Sequence, residues 1–159
     1  MQEFSRKSDF RQSLVSYAAK ILVARPYFRA KLRDKLFLRA EKFNFLDPSG
    51  VIDSILDDLS KSGYLNDKYL AEAFVRRQLS KGYGPKIISL KLKFLGLDRE
   101  IISEVLKSQA YEELEVDSIS RYCRKYPRVD PRKLISKLYQ RGYNSQAIKK
   151  VFDSDWLED

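Results

Sequence analysis

The chain has 159 residues, 43% hydrophobic and 33% charged, with 31 Lys+Arg against 22 Asp+Glu for a formal charge of +9. That length suits one domain or a short stack of small units, the apolar fraction can fill a core, and the basic excess attracts polyanions. Histidine is absent and Cys123 is the one cysteine, which excludes an intrachain disulfide, a Cys/His metal site of the usual ligand count and the commonest general base.

In chain order, residues 1–11 form an N-terminal segment with no apolar run of a secretory signal. No stretch of 18 apolar residues follows, so no membrane span is expected, and the single cysteine fits a reducing cytoplasm. Apolar residues then recur at i, i+3, i+4 and i+7. This periodicity predicts nine helices over 10–24, 27–42, 49–61, 67–81, 85–95, 99–108, 116–126, 131–141 and 145–153. Pro85 and Pro131 each open a periodic segment, where a missing N–H costs nothing. Asp67, Asp98 and Asn144 stand before apolar runs as expected N-caps. Residues 154–159 form an acidic tail, and Trp156 within it is expected to dock on the last unit.

The helices repeat. With a shift of 46, Pro85, Ile88, Leu92 and Gly96 meet Pro131, Leu134, Leu138 and Gly142, and Ile102, Val105 and Leu106 meet Ile148, Val151 and Phe152. With a shift of 56, Tyr27, Leu32 and Leu36 meet Tyr83, Ile88 and Leu92. After a six-residue insertion within Ala40–Gly50, Ile52, Ile55 and Leu56 fall on Ile102, Val105 and Leu106. The opening helices match less tightly, with Leu14, Val15, Ala18 and Val23 on Leu70, Ala71, Phe74 and Leu79. Gly96 and Gly142 suit the left-handed residue that ends a helix. The expected fold is therefore all-α, a tandem array of three three-helix repeats, elongated and curved, over 12–62 (with an insertion near 40–50), 63–109 and 110–153.

Charge repeats with the framework. Lys20–Lys42 holds eight basic residues against Asp34 and Glu41, Ala73–Leu97 holds six and no acid, and Arg121–Arg141 holds eight against Asp130 alone. The third helix of each copy is read as carrying most of the acids, such as Asp53, Asp57 and Asp58, or Asp98, Glu100 and Glu104. Stacked repeats would align the basic helices into a stripe suited to an elongated polyanion. Against this stands the reading in which each unit balances its own charge between helices. The candidate contacts of the stripe are Lys35, Lys91 and Lys137 at one equivalent slot, Lys86 with Arg132, and Arg76-Arg77 with Arg124-Lys125. Lys81, Lys93 and Lys133 complete the set.

Tyr17, Phe74, Tyr122 and Tyr126 fall on core stripes and are expected to be buried, as is Cys123. Tyr83 and Tyr143 flank loop glycines, where packing in the turn competes with base stacking. The segment Gly82-Tyr83-Gly84-Pro85-Lys86 lacks the strand and spacing of a nucleotide loop, and no GxGxxG or GxxxxGK[ST] occurs. No Asp/Glu pair stands out from helix-surface charge. The residues point to no catalytic group, no metal and no cofactor.

Gly63-Tyr64-Leu65-Asn66-Asp67 leading into Ala71-Glu72-Ala73-Phe74-Val75, then Gly82-Tyr83-Gly84-Pro85-Lys86-Ile87-Ile88 and Leu92–Gly96, resembles the RecX family of bacterial recombination regulators. Asp130-Pro131-Arg132-Lys133-Leu134 through Arg141-Gly142-Tyr143 is similar to the last repeat of that family. The resemblance covers roughly residues 12–153. Lys91 stands where the family usually has an acid, Leu95 replaces the usual basic residue before Gly96, and Phe28–Leu32 lacks the small polar and acidic residues of the usual first-repeat pattern. The resemblance implies a monomeric, non-enzymatic modulator that lies in the groove of the RecA–single-stranded-DNA filament, blocks its extension or promotes its disassembly, and restrains strand exchange and the damage response. Charge alone leaves two other readings open: a general nucleic-acid-binding module acting without RecA, and a scaffold that self-associates through acidic and basic faces.

Overall fold

The computed structural model describes the backbone of residues 2–43, 45 and 47–155. The regular elements among them are all helical: α1 (Gln2–Ala24), α2 (Arg29–Ala40), α3 (Ser49–Lys61), α4 (Asp67–Ser80), α5 (Pro85–Phe94), α6 (Arg99–Leu106), α7 (Gln109–Lys125), α8 (Pro131–Gln140) and α9 (Ser145–Asp155). A 3-10 turn, Glu41–Phe43, follows α2. The chain divides into two compact units, Met1–Leu70 and Ala71–Asp159, so the first turn of α4 belongs to unit 1. Trp156 and most of the acidic tail lie outside the described residues.

Two helices start well before their expected positions. The segment expected to precede α1 is itself helical from Gln2, because residues 2–9 contain no Gly or Pro to break it. Phe10 is buried one turn ahead of Leu14 and Ala18 and anchors the stripe. Helix α7 begins at Gln109 instead of 116, capped by Ser108, whose Oγ accepts from the Tyr111 N–H at 3.2 Å. Its inward stripe runs Tyr111, Glu115, Ser118, Ile119, and the polar members hid the period from an apolar reading.

The caps divide similarly. Asp130 accepts from the Arg132 N–H at 2.8 Å, as its position before Pro131 suggests. Asp98 occupies an N-cap without a side-chain hydrogen bond from its helix. Asn66, not Asp67, caps α4, accepting from the Tyr69 N–H at 3.0 Å. Asp67 instead accepts the Arg29 N–H at 2.8 Å and caps α2 from another helix. Asn144 is held from α7: Glu115 accepts its backbone N–H at 2.9 Å and its side-chain amide at 3.3 Å.

Unit 1 packs α1, α2 and α3 against one another around Leu14, Leu32, Leu36, Ile52, Ile55 and Leu56. In unit 2, α5 packs on α6, α6 on α7, and α9 on both α7 and α8. The equivalent slots Ile88 and Leu134, Leu92 and Leu138, Ile102 and Ile148, Val105 and Val151 are all buried. Val23 breaks the pattern: it is 90% exposed, lying in the last turn of α1.

The two-glycine turn before α5 and the turn between α8 and α9 clasp within unit 2. The Gly84 N–H donates to the Arg141 carbonyl at 2.8 Å and the Lys86 N–H to the Gly142 carbonyl at 3.0 Å. Gly142 has φ +84°, a conformation that L side chains rarely adopt. Tyr143 follows fully buried, as a packed turn aromatic. Its O–H pairs with Ser118 Oγ at 2.6 Å, and Ser118 donates onward to the Leu79 carbonyl at 2.7 Å.

Glu115 is 2% exposed, and burial pushes its carboxyl above the usual glutamate value despite the two hydrogen bonds from Asn144. A carboxyl raised in the folded state stabilises the fold below its unfolded pKa, and that contribution is lost as pH rises through the folded value. Glu115→Gln keeps an acceptor for the Asn144 N–H and removes the buried charge. Its midpoint in urea should therefore gain on that of the parent chain as pH rises above about 4.3. Glu115→Ala leaves the N–H unpaired and should cost about 1–3 kcal/mol at any pH. A midpoint difference between Glu115→Gln and parent that does not change with pH would count against the buried charge.

Candidate functional site

The two units differ in the ion pairs that their basic helices make. In unit 1, Arg29 pairs with Asp57 at 2.6 Å, Arg33 with Asp53 at 2.9 Å, and Arg11 with Asp58 at 2.6 Å. The Arg33 guanidinium holds the Asp53 carboxyl below the usual aspartate value. Exposed pairs of this kind contribute little stability, but they neutralise the basic faces of α1 and α2 against α3. These three pairs balance charge between helices in unit 1.

The same pairs cannot form in the later copies, because the residue types are absent. The Arg29 and Asp57 slots become Pro85 and Lys107, then Pro131 and Asp153. The Arg33 and Asp53 slots become Ser89 and Ser103, then Ile135 and Lys149.

Cations lie on aromatic rings in both units; in unit 1 Arg33 is 4.7 Å from the Phe37 ring and Arg39 5.4 Å from Tyr17, and in unit 2 the contacts join into a chain. Lys91 Nζ lies 3.7 Å from the centroid of Tyr83 and donates to Gln78 Oε1 at 2.8 Å. The Arg141 guanidinium lies between two rings, 5.3 Å from Tyr83 and 5.1 Å from Tyr122. Tyr122 and Tyr126 are 5.1 Å apart, tilted by 52°. Lys125 and Lys137 each place Nζ 5.9 Å from the Tyr126 ring. Each such contact contributes roughly 0.5–2 kcal/mol, more where water is excluded. The result is a ladder of cations and tyrosines drawn from α4–α5, α7 and α8.

Beside the ladder lies a recess of about 190 Å³, lined by Lys81, Arg121, Lys125, Arg141, Tyr122 and Tyr126 together with Ser80, Ser118 and the turn at Gly82. The lining contains four cations and no carboxylate. Arg121 is engaged by Asp117 at 3.0 Å. Arg141 reaches the Lys81 carbonyl through Nη2 at 3.4 Å, while its buried Nε has no hydrogen-bond partner.

Of the expected contacts, Lys81, Lys91, Lys125 and Lys137 therefore gather on this ladder and its recess. Lys35, in unit 1, is half-buried with Nζ 5.5 Å from the Tyr27 ring, and Lys91 and Tyr83 fill the same two slots of the second repeat. At this slot the lysine packs on a ring. Lys93 points elsewhere, into a shallow depression that it shares with Glu100, Glu104 and Lys107. Arg76, Arg77, Lys86, Arg124, Arg132 and Lys133 are exposed on unit 2, Arg77 lying 5.5 Å from the Phe74 ring.

Burial differs from expectation at the aromatics. Tyr17, Phe74, Tyr122 and Cys123 are only half-buried and Tyr126 is 37% exposed. Tyr126 sits past the last turn of α7, as its C-cap, where the stripe no longer faces the core. Arg121 and Arg141 were outside the expected set. The available signal was the slot before the helix-ending glycine, where Arg141 stands in the third copy and Leu95 in the second.

Comparison with known proteins agrees with the resemblance. Residues 66–106 match the family described as "RecX, second three-helix domain". The chain is 31% identical over 141 residues to the regulatory protein RecX of Thermotoga sp. strain RQ2, covering 87% of this chain and 82% of that one. It is 28% identical over 153 residues to the regulatory protein RecX of Listeria innocua, covering 91% of this chain but 54% of that longer one. The crystal structure of RecX from Lactobacillus salivarius superposes with a TM-score of 0.73 at 22% identity, over 94% of this chain and 99% of that one. The Thermotoga and Listeria relatives are named as regulatory proteins. Among the described residues, no helix is long and apolar enough to cross a membrane.

Proposed function

The chain belongs to the RecX family, and from that premise we propose that it binds the RecA–single-stranded-DNA filament as a cytoplasmic monomer and restrains its recombinase and ATPase activity in recombination, DNA repair and the SOS response. The family membership carries the reading. The ladder and recess of unit 2 supply a physical means, because a recess lined by four cations and no carboxylate stands beside the exposed ring of Tyr126, the combination that single-stranded nucleic acid attracts.

The test is DNA-dependent ATP hydrolysis and strand exchange by RecA of the same organism, with and without this protein. Both rates are expected to fall at stoichiometric levels, and unchanged rates would falsify the proposal. The triple variant Lys81→Gln, Lys125→Gln and Lys137→Gln should weaken that inhibition about tenfold, with greater loss at low salt, while its helical circular dichroism stays unchanged. These lysines are exposed, so the fold does not depend on them. Tight, steeply salt-dependent DNA binding without any effect on RecA would instead indicate a general nucleic-acid-binding module.

A further inference from the structure

We propose that the recess between the α4–α5 turn, α7 and Arg141 seats one phosphate of a single-stranded nucleic acid, with a neighbouring base stacked on Tyr126. The inference deepens the proposed function, naming the group that this surface of unit 2 would hold.

Three observations carry it. First, the lining is built for an oxyanion: Lys81, Arg121, Lys125 and Arg141 converge without a carboxylate among the lining residues. Asp117 offsets Arg121 from outside, which leaves three cations for a group that brings a single charge. Second, Arg141 is pre-positioned. Its guanidinium is held between Tyr83 and Tyr122, and its backbone carbonyl is tied to the Gly84 N–H at 2.8 Å. Little side-chain entropy remains to be lost when it engages an anion. Third, the turn at Gly82 closes one side of the recess: its φ of +77° suits glycine, and a Cβ built there lies at van der Waals distance, 3.4 Å, from Arg141 Nη2 and Tyr122.

The tyrosines separate a nucleic acid from a bare anion. Tyr122 is half-buried and props Arg141, while Tyr126 lies 5.1 Å from it at the rim and is 37% exposed. An exposed ring beside a phosphate seat is the arrangement by which single strands are held without reading sequence. A protein carboxylate fits the cations equally well but makes no use of the ring.

The experiment uses the full chain and three probes: fluorescent oligodeoxythymidylate, inorganic polyphosphate and polyglutamate. With the double variant Lys81→Gln and Lys125→Gln, the slope of log affinity against log salt for oligothymidylate should fall by about 0.7, the value for one phosphate contact on a single strand. The control Lys93→Gln with Lys107→Gln, at the depression that also holds Glu100 and Glu104, should leave that slope in place. Tyr126→Ala should weaken oligothymidylate binding about tenfold and leave polyphosphate binding unchanged. Equal slope losses in the two double variants would overturn the site, since only the general field would then be acting. Polyglutamate binding as tight as oligothymidylate, with Tyr126→Ala silent, would assign the recess to a protein carboxylate and overturn the proposal. No recombinase is present in these measurements, so their failure and that of the filament assay are independent.

Discussion

Gly84→Ala is expected to cost about 3–4 kcal/mol, far more than its size suggests. Gly84 has φ −86° and ψ 176°, which any residue adopts, so backbone strain is not the cause. The cause is contact: a Cβ at this position would stand 2.3 Å from the Tyr143 nitrogen and 2.4 Å from the Gly142 carbonyl carbon. Both are backbone atoms of a tight turn and cannot swing away. Relief requires the two turns to separate, which breaks the hydrogen bonds from Gly84 N–H to Arg141 and from Lys86 N–H to Gly142 and loosens the seat of the buried Tyr143. A natural control is Gly50→Ala in α3, where nothing lies within 4 Å of the added methyl and a slight gain in stability is expected. Urea denaturation of both variants, with hydrogen exchange at Gly84 and Lys86, measures the contrast. Equal midpoints for the two would mean that the clasp does not hold the turns together. Because Arg141 belongs to the same turn, Gly84→Ala should also weaken anion binding at the recess even where the chain remains folded.

Leu92→Ala should cost about 2–5 kcal/mol. Leu92 is fully buried on α5, and its carbonyl accepts the N–H groups of Leu95 and Leu97 as the helix closes at Gly96. Truncation leaves a cavity between α5 and its neighbours that rigid helices fill only in part. Two positions away, Leu90 is 61% exposed, and its truncation should change stability by no more than about 0.5 kcal/mol. The comparison is read as a shift in midpoint at constant slope. Leu36 and Leu138 fill the equivalent slots and are equally buried, so the same truncation there should cost a similar amount. A Leu92→Ala cost below about 1 kcal/mol would mean that the repeated stripe is not the core.

The buried framework was legible because helical burial is a local code. A residue on the inward face recurs every three to four positions whatever lies across from it, so Leu32, Ile88 and Leu134 could be aligned without knowing their partners. Gly96 and Gly142 were readable for the same reason: the left-handed turn that ends a helix is dictated within a few residues, and both have φ near +84°. The reading failed where a stripe carries polar members, as at Glu115 and Ser118 of α7, or runs out at a helix end, as at Val23 and Tyr126. It also misassigned caps supplied from a distance, since nothing local tells that Asp67 will accept from Arg29.

By itself the sequence determined the helices, the repeated core slots, the basic excess and the family. Only the tertiary structure decided which cations meet. Lys91 and Lys93 look alike in the sequence, but about 200° of helical rotation separates them, so one stacks on Tyr83 and the other faces Glu100 and Glu104. Lys81 and Arg141 stand sixty positions apart and share a recess because two turns approach through Gly84. In unit 1 Arg29 and Arg33 of α2 are answered by Asp57 and Asp53 of α3, whereas the same slots of unit 2 hold no such pairs. Hydrophobic burial follows from the spacing along one helix, but the fate of a charge depends on what the fold carries to within a few ångströms of it.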